Sequence, residues 1–229
     1  AKASVRSARL DFLELDANAL SPMAAYESGK VLQASGVNFI DGCSIGSATK
    51  MDKGAVIYVS GPQAAKIQDL EPYGFSVKVL GPNVAQASAF KIVYAGLTKG
   101  LQGLFVELLM GARRFGLLDE ILKRYEESLP GLLEKVSSSI VCLRIHAARR
   151  AEEMDELKRT FGHHGMKAFM APAAQKVLQS IAALDVGKTS ATGGRDGDLL
   201  ETLEFFFENG LLQQEQKESS SKKQIHAAG

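Results

Sequence analysis

Hydrophobic positions along this chain follow two different rhythms, and the change between them falls at Gly81-Pro82. Upstream, the apolar residues come in short runs rich in branched and aromatic side chains: Leu10 to Leu15 (LDFLEL), Val37 to Ile40, Ala55 to Ser60 (AVIYVS) and Phe75 to Leu80. Runs of that length and content read as strands. Ser21-Pro22 starts a helix between the first two, since Ser can accept from free N–H groups and Pro suits the first helical position, and Gly36 ends it. A Gly- and Ser-containing loop is expected from Asp41 to Gly54, and a short helix from Gly61-Pro62 to about Leu70. Strand, helix, strand, strand, helix, strand is the order of an α/β sheet with helices on its faces.

Downstream of Pro82 every periodic segment reads as helix. The longest begins at Pro82-Asn83 and stops at Gly116. Further helices are expected at Leu118 to Ser128, at Gly131 to Gly162 with a break near Ser137 to Ser139, at Ala171 to Leu184 with Pro172 at its start, and at Leu199 to Leu212. Gly187 to Gly197 reads as a polar, Gly-rich loop. Gln213 to Gly229 has too few apolar residues to order itself and reads as a disordered tail. The expected organisation is therefore an α/β unit over residues 1–82, an all-helical unit over 83–212, and a tail over 213–229, with no internal repeat.

Lys91 stands out because the long helix around it is apolar on nearly every side. Lysine is among the residues least often fully buried, and an unpaired ammonium is expensive to remove from water. At 100° per residue, Ser88, Lys91, Tyr94, Ala95, Thr98 and Gln102 share one stripe, while Phe90, Val93, Leu97, Leu101, Leu104 and Leu108 occupy another. A polar stripe on an otherwise apolar helix suits a cleft. The plainer alternative is that Lys91 snorkels from the helix start. Gly96, Gly100 and Gly103 likewise suit either close ligand approach or helix packing.

Composition narrows the function classes. Among 229 residues, 27 basic and 26 acidic side chains leave almost no net charge, so the electrostatic footprint of a nucleic-acid binder is missing. Cys43 and Cys142 stand far apart without a CxxC or a His-rich neighbourhood, which suggests neither a disulfide framework nor a metal site and accords with reducing cytoplasm. The most apolar stretch, Leu101 to Met110, is about half of the ~20 residues a membrane span needs, and no membrane insertion is expected.

A Gly-Pro after a strand, a small-residue turn and a lysine near the start of a long helix resemble the β-hydroxyacid dehydrogenase and 6-phosphogluconate dehydrogenase superfamily. GVNFIDGCSIGS (Gly36 to Ser47) resembles the family's GvxFvDAPVSGG, AVIYVSGP (Ala55 to Pro62) its following strand, and DANALSP (Asp16 to Pro22) an earlier strand end. The run Lys-x-x-Tyr-Ala-Gly-Leu-Thr-Lys-Gly from Lys91 to Gly100, with RRAEEMDELKRTFGHHGM (Arg149 to Met166), is most similar to a branch of uncharacterised phosphogluconate-dehydrogenase-like proteins whose C-terminal domain is assigned to NAD binding. The resemblance covers roughly residues 10 to 184.

That resemblance implies part of a Rossmann-like domain followed by a helical domain for substrate and dimerisation. It also implies oxidation of a hydroxyl next to a carboxylate, with hydride passing to NAD or NADP. Lys91 falls on the family's proton-shuttling lysine, and a lysine desolvated by an apolar helix can have its pKa lowered towards neutrality. Asp41, Ser44, Gly46 and Ser47 map to the loop that holds the substrate carboxylate, and Tyr94 and Thr98 face it from the helix. Asn18 falls near the nicotinamide. A small carboxylate substrate and a homodimer follow, with no metal.

Three departures qualify this. The G-x-G-x-x-G turn that lets a backbone approach a pyrophosphate does not occur before Asp41, so the chain is expected to start midway through the nucleotide domain. Ala95 stands where the family often has asparagine, and Ile45 replaces a serine of the VSGG stretch; Tyr94, Thr98 or Lys99 could substitute. An ordinary 6-phosphogluconate dehydrogenase is therefore not expected. Two other readings stay open: a non-catalytic dimerisation or ligand-binding module, and an imine-reducing relative. Gly187-Lys188-Thr189 lacks the first glycine and preceding strand of a phosphate-binding loop, and His163-His164 suits a solvated turn. His146, with Arg144 and Arg149, lies in a region the superfamily uses near substrate, although a solvated helix face is the simpler reading.

Overall fold

Leu13–Asp16 (β1) pairs in parallel with Asn38–Ile45 (β2), and Pro22–Ala34 (α1) makes the crossover between them. In this computed structural model residues 13–18, 20–46, 55–184 and 198–213 are described. The Ser21 hydroxyl accepts from the Ala24 N–H at 3.1 Å, and Pro22 opens α1 as expected. Gly36, at φ +78°, turns the chain out of the helix. Val56–Ser60 (β3) lies antiparallel to β2, and Ser76–Gly81 (β4) parallel to β3. A 3-10 helix, Ala64–Tyr73, joins the last two, and the sheet order is β1-β2-β3-β4.

The chief difference from the sequence expectation is the length of β2. Asp41 to Ile45 belongs to the strand rather than to a loop, because each residue finds a partner on β3, from Asp41 opposite Ser60 to Ile45 opposite Val56. Its composition reflects tight quarters on both sides. A Cβ on Gly42 would lie 2.7 Å from a Leu15 methyl and 3.3 Å from the Asp16 carbonyl oxygen. Period-2 alternation sends Ile40 into a small apolar cluster with Ile57, Val59, Ala64, Ile67 and Val77. Phe39, Asp41 and Cys43 point to the opposite face, where α1 and the next helix lie.

That next helix, Gln86–Arg114 (α2), leaves the sheet and forms the spine of the helical part. Around it pack Leu118–Ser128 (α3), Pro130–Val141 (α4), Leu143–His163 (α5), Met170–Ala182 (α6) and Leu199–Glu208 (α7). Val106, Leu109, Ile140, Leu143, Leu178, Ile181, Leu203 and Phe206 form the centre of its core. The break in the expected Gly131 to Gly162 helix falls at Cys142, a few residues past the expected serines, and the hydroxyls of Ser138 and Ser139 donate back to the Lys135 carbonyl. The expected Gly187 to Gly197 loop and nearly all of the tail lie outside the described residues.

Two of the α2 glycines serve packing. A Cβ on Gly96 would collide with the Leu157 side chain of α5, and one on Gly103 would lie 3.2 Å from the Ala174 backbone of α6, whereas Gly100 faces open space. The apolar stripe faces outward in the single chain: Val93 is 55% and Leu97 66% exposed, with Phe90, Leu104 and Leu108 also open. The bundle covers only the side of α2 that carries Ile92, Phe105, Val106 and Leu109. By length and composition α2 could cross a bilayer, a wider test than the Leu101 to Met110 window met. Its packing against both sheet and bundle accounts for the apolar character on its covered side.

Candidate functional site

The first turn of α2 has an unusual start. Ala85 sits at φ 77° in the left-handed region and offers no side-chain cap, so the free N–H groups at the helix start need acceptors from elsewhere. Two strands supply them. The Asp41 carboxylate on β2 accepts from the Ser88 N–H at 2.9 Å and from the Ser88 hydroxyl at 2.6 Å. Ser60, opposite it on β3, accepts from the Ala87 N–H at 2.9 Å and donates its own proton to Asp41 at 3.2 Å. Asp41 is 1% exposed, and Ser60 and Ser88 are buried with it. A buried carboxylate is stable in such company because charged acceptors make strong hydrogen bonds and a helix N-terminus favours negative charge.

Next along β2 on the same face, Cys43 is wholly buried and its thiol donates to the Ala87 carbonyl at 3.2 Å. Burial pushes this thiol up to about 11; the Lys91 ammonium pulls it down and the Asp41 carboxylate raises it. Lys91, half-buried, lies one residue past Phe90, whose ring meets Tyr58 of β3 at 4.5 Å between centroids. The aromatic pair and the Asp41 network together fix the turn of α2 that carries Lys91.

Other expected site residues surround this point to differing degrees. Asn18 follows the end of β1, where its backbone N–H and side-chain amide both donate to the Asp16 carboxylate, at 2.9 and 2.8 Å. The adjoining Ala17 backbone lies beside Gly42 of β2. Ser44 is half-buried at the far end of β2, and Gly46 follows exposed at φ 131°. Ser47 lies outside the described residues. On α2, Tyr94 is exposed, and the Thr98 hydroxyl donates to the Ala95 carbonyl at 3.0 Å.

Asp41 is the correction within this group. Expected in a substrate-holding loop, it is an interior residue of β2 whose two oxygens serve Ser60 and Ser88. Ser60 was invisible as a site residue in the sequence, being the last position of an apolar strand; its pairing opposite Asp41 could be found only from the β2–β3 register. Lys99, a candidate substitute, instead pairs with Glu153 of α5 at 2.9 Å. Arg149 pairs with the same Glu153, and Arg144 lies over the Phe205 ring of α7 beside Glu201. His146 is held below the usual imidazole range by burial and by Arg150 and Arg149. Arg144 and Arg150 tie α5 to neighbouring helices, whereas Arg149 pairs within α5. Among the described residues no group of His, Cys, Asp and Glu is arranged to hold a metal.

The carboxyl ends of β1 and β2 offer backbone and small polar groups of the kind that meet a nicotinamide or a substrate carboxylate. The β1–α1 connection reads Ala-Asn-Ala-Leu-Ser, and among the described residues no strand-to-helix turn has the glycines that let a backbone cradle a pyrophosphate. The described β1–α1 connection thus offers polar groups without a pyrophosphate cradle.

Comparison with known proteins shows likenesses in sequence and fold. Residues 112–181 match a family described as a domain of unknown function, DUF1932. An uncharacterized 28.5 kDa protein of Methanothermus fervidus is 29% identical over 168 residues, covering 73% of this chain and 65% of that protein. The structure of a conserved protein of unknown function, reported as similar to 3-hydroxyacid dehydrogenases, superposes with a TM-score of 0.68 at 26% identity, over 79% of this chain and 68% of that one. These likenesses support the β-hydroxyacid dehydrogenase and 6-phosphogluconate dehydrogenase superfamily for this chain. A 3-hydroxyisobutyrate dehydrogenase of Mycobacterium tuberculosis, with L-serine, shares the fold at 15% identity and a TM-score of 0.62, over 89% of this chain and 72% of that one. The superfamily's architecture, a partial Rossmann-like sheet followed by a helical domain, is thus present here, and the chain spans about two thirds of the length of these relatives.

Proposed function

We propose that this chain handles substrate and proton in an NAD(P)-dependent oxidoreductase acting on a small hydroxy acid, with Lys91 as the proton shuttle. The observation that carries this reading is the placement of Lys91 one turn inside the Asp41-anchored start of α2. The Lys91 amine takes the hydroxyl proton during oxidation and returns it during reduction. Ser44 and the backbone at Gly46 hold the substrate carboxylate with Ser47, and Tyr94 and Thr98 bound the substrate from α2. Asn18 contacts the nicotinamide, which when bound supplies hydride acceptance. Likeness to this superfamily supports a nicotinamide cofactor, NAD or NADP. The functional unit is a homodimer joined through the open apolar stripe of α2, working in the cytoplasm; two free cysteines accord with a reducing compartment.

Two observations favour other readings enough to be tested alongside. Ala95 and Ile45 replace the polar residues of the hydroxy-acid pattern, which suits an imine-reducing relative. The absence of a glycine-rich turn among the described residues suits a non-catalytic dimerisation or ligand-binding module. NADH and NADPH titrations followed by turnover assays on 3-hydroxyisobutyrate, L-serine and cyclic imines separate the three. Hydride transfer to NAD(P) from a hydroxy acid supports the proposal. Turnover of imines alone, or cofactor binding without turnover of either class, contradicts it.

A further inference from the structure

We propose that Asp41 is a positioning residue for Lys91, acting through the first turn of α2 rather than through contact with substrate. The inference rests on the proton-shuttle reading of Lys91. Its basis is a cap assembled across the fold: Ala85 contributes no capping side chain, and the Ala87 and Ser88 N–H groups are taken by Ser60 and Asp41 from two strands far away in sequence. The Ser88 hydroxyl closes the network on the same carboxylate at 2.6 Å. Because Ser88 and Lys91 are three residues apart on one helix, they lie on the same face. Fixing Ser88 against β2 therefore sets both the height and the rotation of Lys91 over that strand. The left-handed Ala85 strengthens the case, since a non-glycine residue in that region persists only where its surroundings hold it.

The arrangement differs from simple core packing in a way that can be measured. An apolar residue at position 41 could fill the volume, but it would leave two donors of Ser88 without an acceptor. Asp41→Asn keeps the shape and loses half the acceptor capacity. Loss of the cap should free the first turn alone, because the remainder of α2 is clamped by α5 and α6 at Gly96 and Gly103.

Hydrogen exchange on the whole chain, compared between wild type and Asp41→Asn, tests this. Lys91 is followed in parallel by NMR of its dimethylated amine, assigned with Lys91→Arg. Amides of residues 87–91 should exchange at least about tenfold faster and the Lys91 methyl signal should move, with the Leu101 to Met110 amides unchanged. Ser60→Ala, a milder change to the same network, should reproduce both effects at smaller amplitude, and it decides the matter should Asp41→Asn fail to fold. An unmoved Lys91 signal in the folded variant, or exchange rising equally along all of α2, overturns the proposal. Loss of the shuttle role is seen separately: a Lys91→Ala chain that still oxidises a hydroxy acid refutes that reading, while leaving the exchange result intact.

Discussion

Asp41 and Cys43 share one face of β2 against the first turn of α2, and the thiol is the more direct reporter of the surroundings. Cys43 is 0% exposed, and burial with Asp41 beside it outweighs the pull of Lys91, raising the thiol from 9.0 to about 11. Because the thiolate is the reactive form, iodoacetamide at neutral pH should label Cys43 at least about a hundredfold more slowly than an unperturbed exposed thiol. Labelling at the rate of an exposed cysteine would show that the interior of the site is open. Sequence pointed to Lys91 as a lysine on an apolar helix, and to Asp41 only through the family resemblance. It assigned Asp41 the wrong surroundings, because whether a polar strand residue faces a substrate or a helix start depends on packing across 47 residues of chain. Ser60 carried no signal of any kind until its partner strand was known.

At the level of elements, α2 carries the consequences of where it is covered and where it is not. Gly100 faces open space, so Gly100→Ala should stabilise the chain by up to about 1 kcal/mol, the ordinary difference in helix propensity. Gly103→Ala should do the reverse. Its methyl would press on the Ala174 backbone at 3.2 Å, and overpacking of roughly 1–3 kcal/mol outweighs the propensity gain. Urea denaturation of the two variants reads the opposite signs. At the other end of α2, Arg113 donates twice to Glu204 of α7, at 2.9 and 2.8 Å, which holds that carboxyl below the usual range. A depressed folded-state pKa contributes stability above the unfolded value of about 4.3, and the contribution is lost as pH falls through the depressed value. Glu204→Gln should therefore lower the melting temperature slightly at pH 7 and narrow its gap from wild type as the solution is acidified; a gap independent of pH would remove the ion pair from the account. The helices were legible because long periodic segments and their Gly and Pro stops are local signals. β2 was cut short because Gly42 and Ser44 look like loop residues until β1 and β3 crowd them from both sides.

For the whole molecule, the exposed stripe of Phe90, Val93, Leu97, Leu104 and Leu108 is the largest departure from a buried central helix. Its helical period was read correctly, but which face would be covered depended on where α5 and α6 dock, and that is set by Gly96 and Gly103 on the other side. If a second copy covers the stripe, sedimentation of the wild type should give a dimer at micromolar concentration. Leu97→Glu should shift it to monomer without loss of helical circular dichroism, since the residue touches solvent rather than core. Dimerisation unaffected by Leu97→Glu would place the interface elsewhere. The proposed chemistry depends on the junction between the sheet and the start of α2, the helix that carries Lys91. The decisive measurement is kcat for hydroxy-acid oxidation by wild type and Lys91→Ala, each joined to a complete nucleotide-binding half, together with NADPH affinity. The account predicts loss of kcat by at least about a hundredfold with NADPH binding essentially unchanged, as removal of a general acid–base would give; undiminished turnover in Lys91→Ala would contradict it.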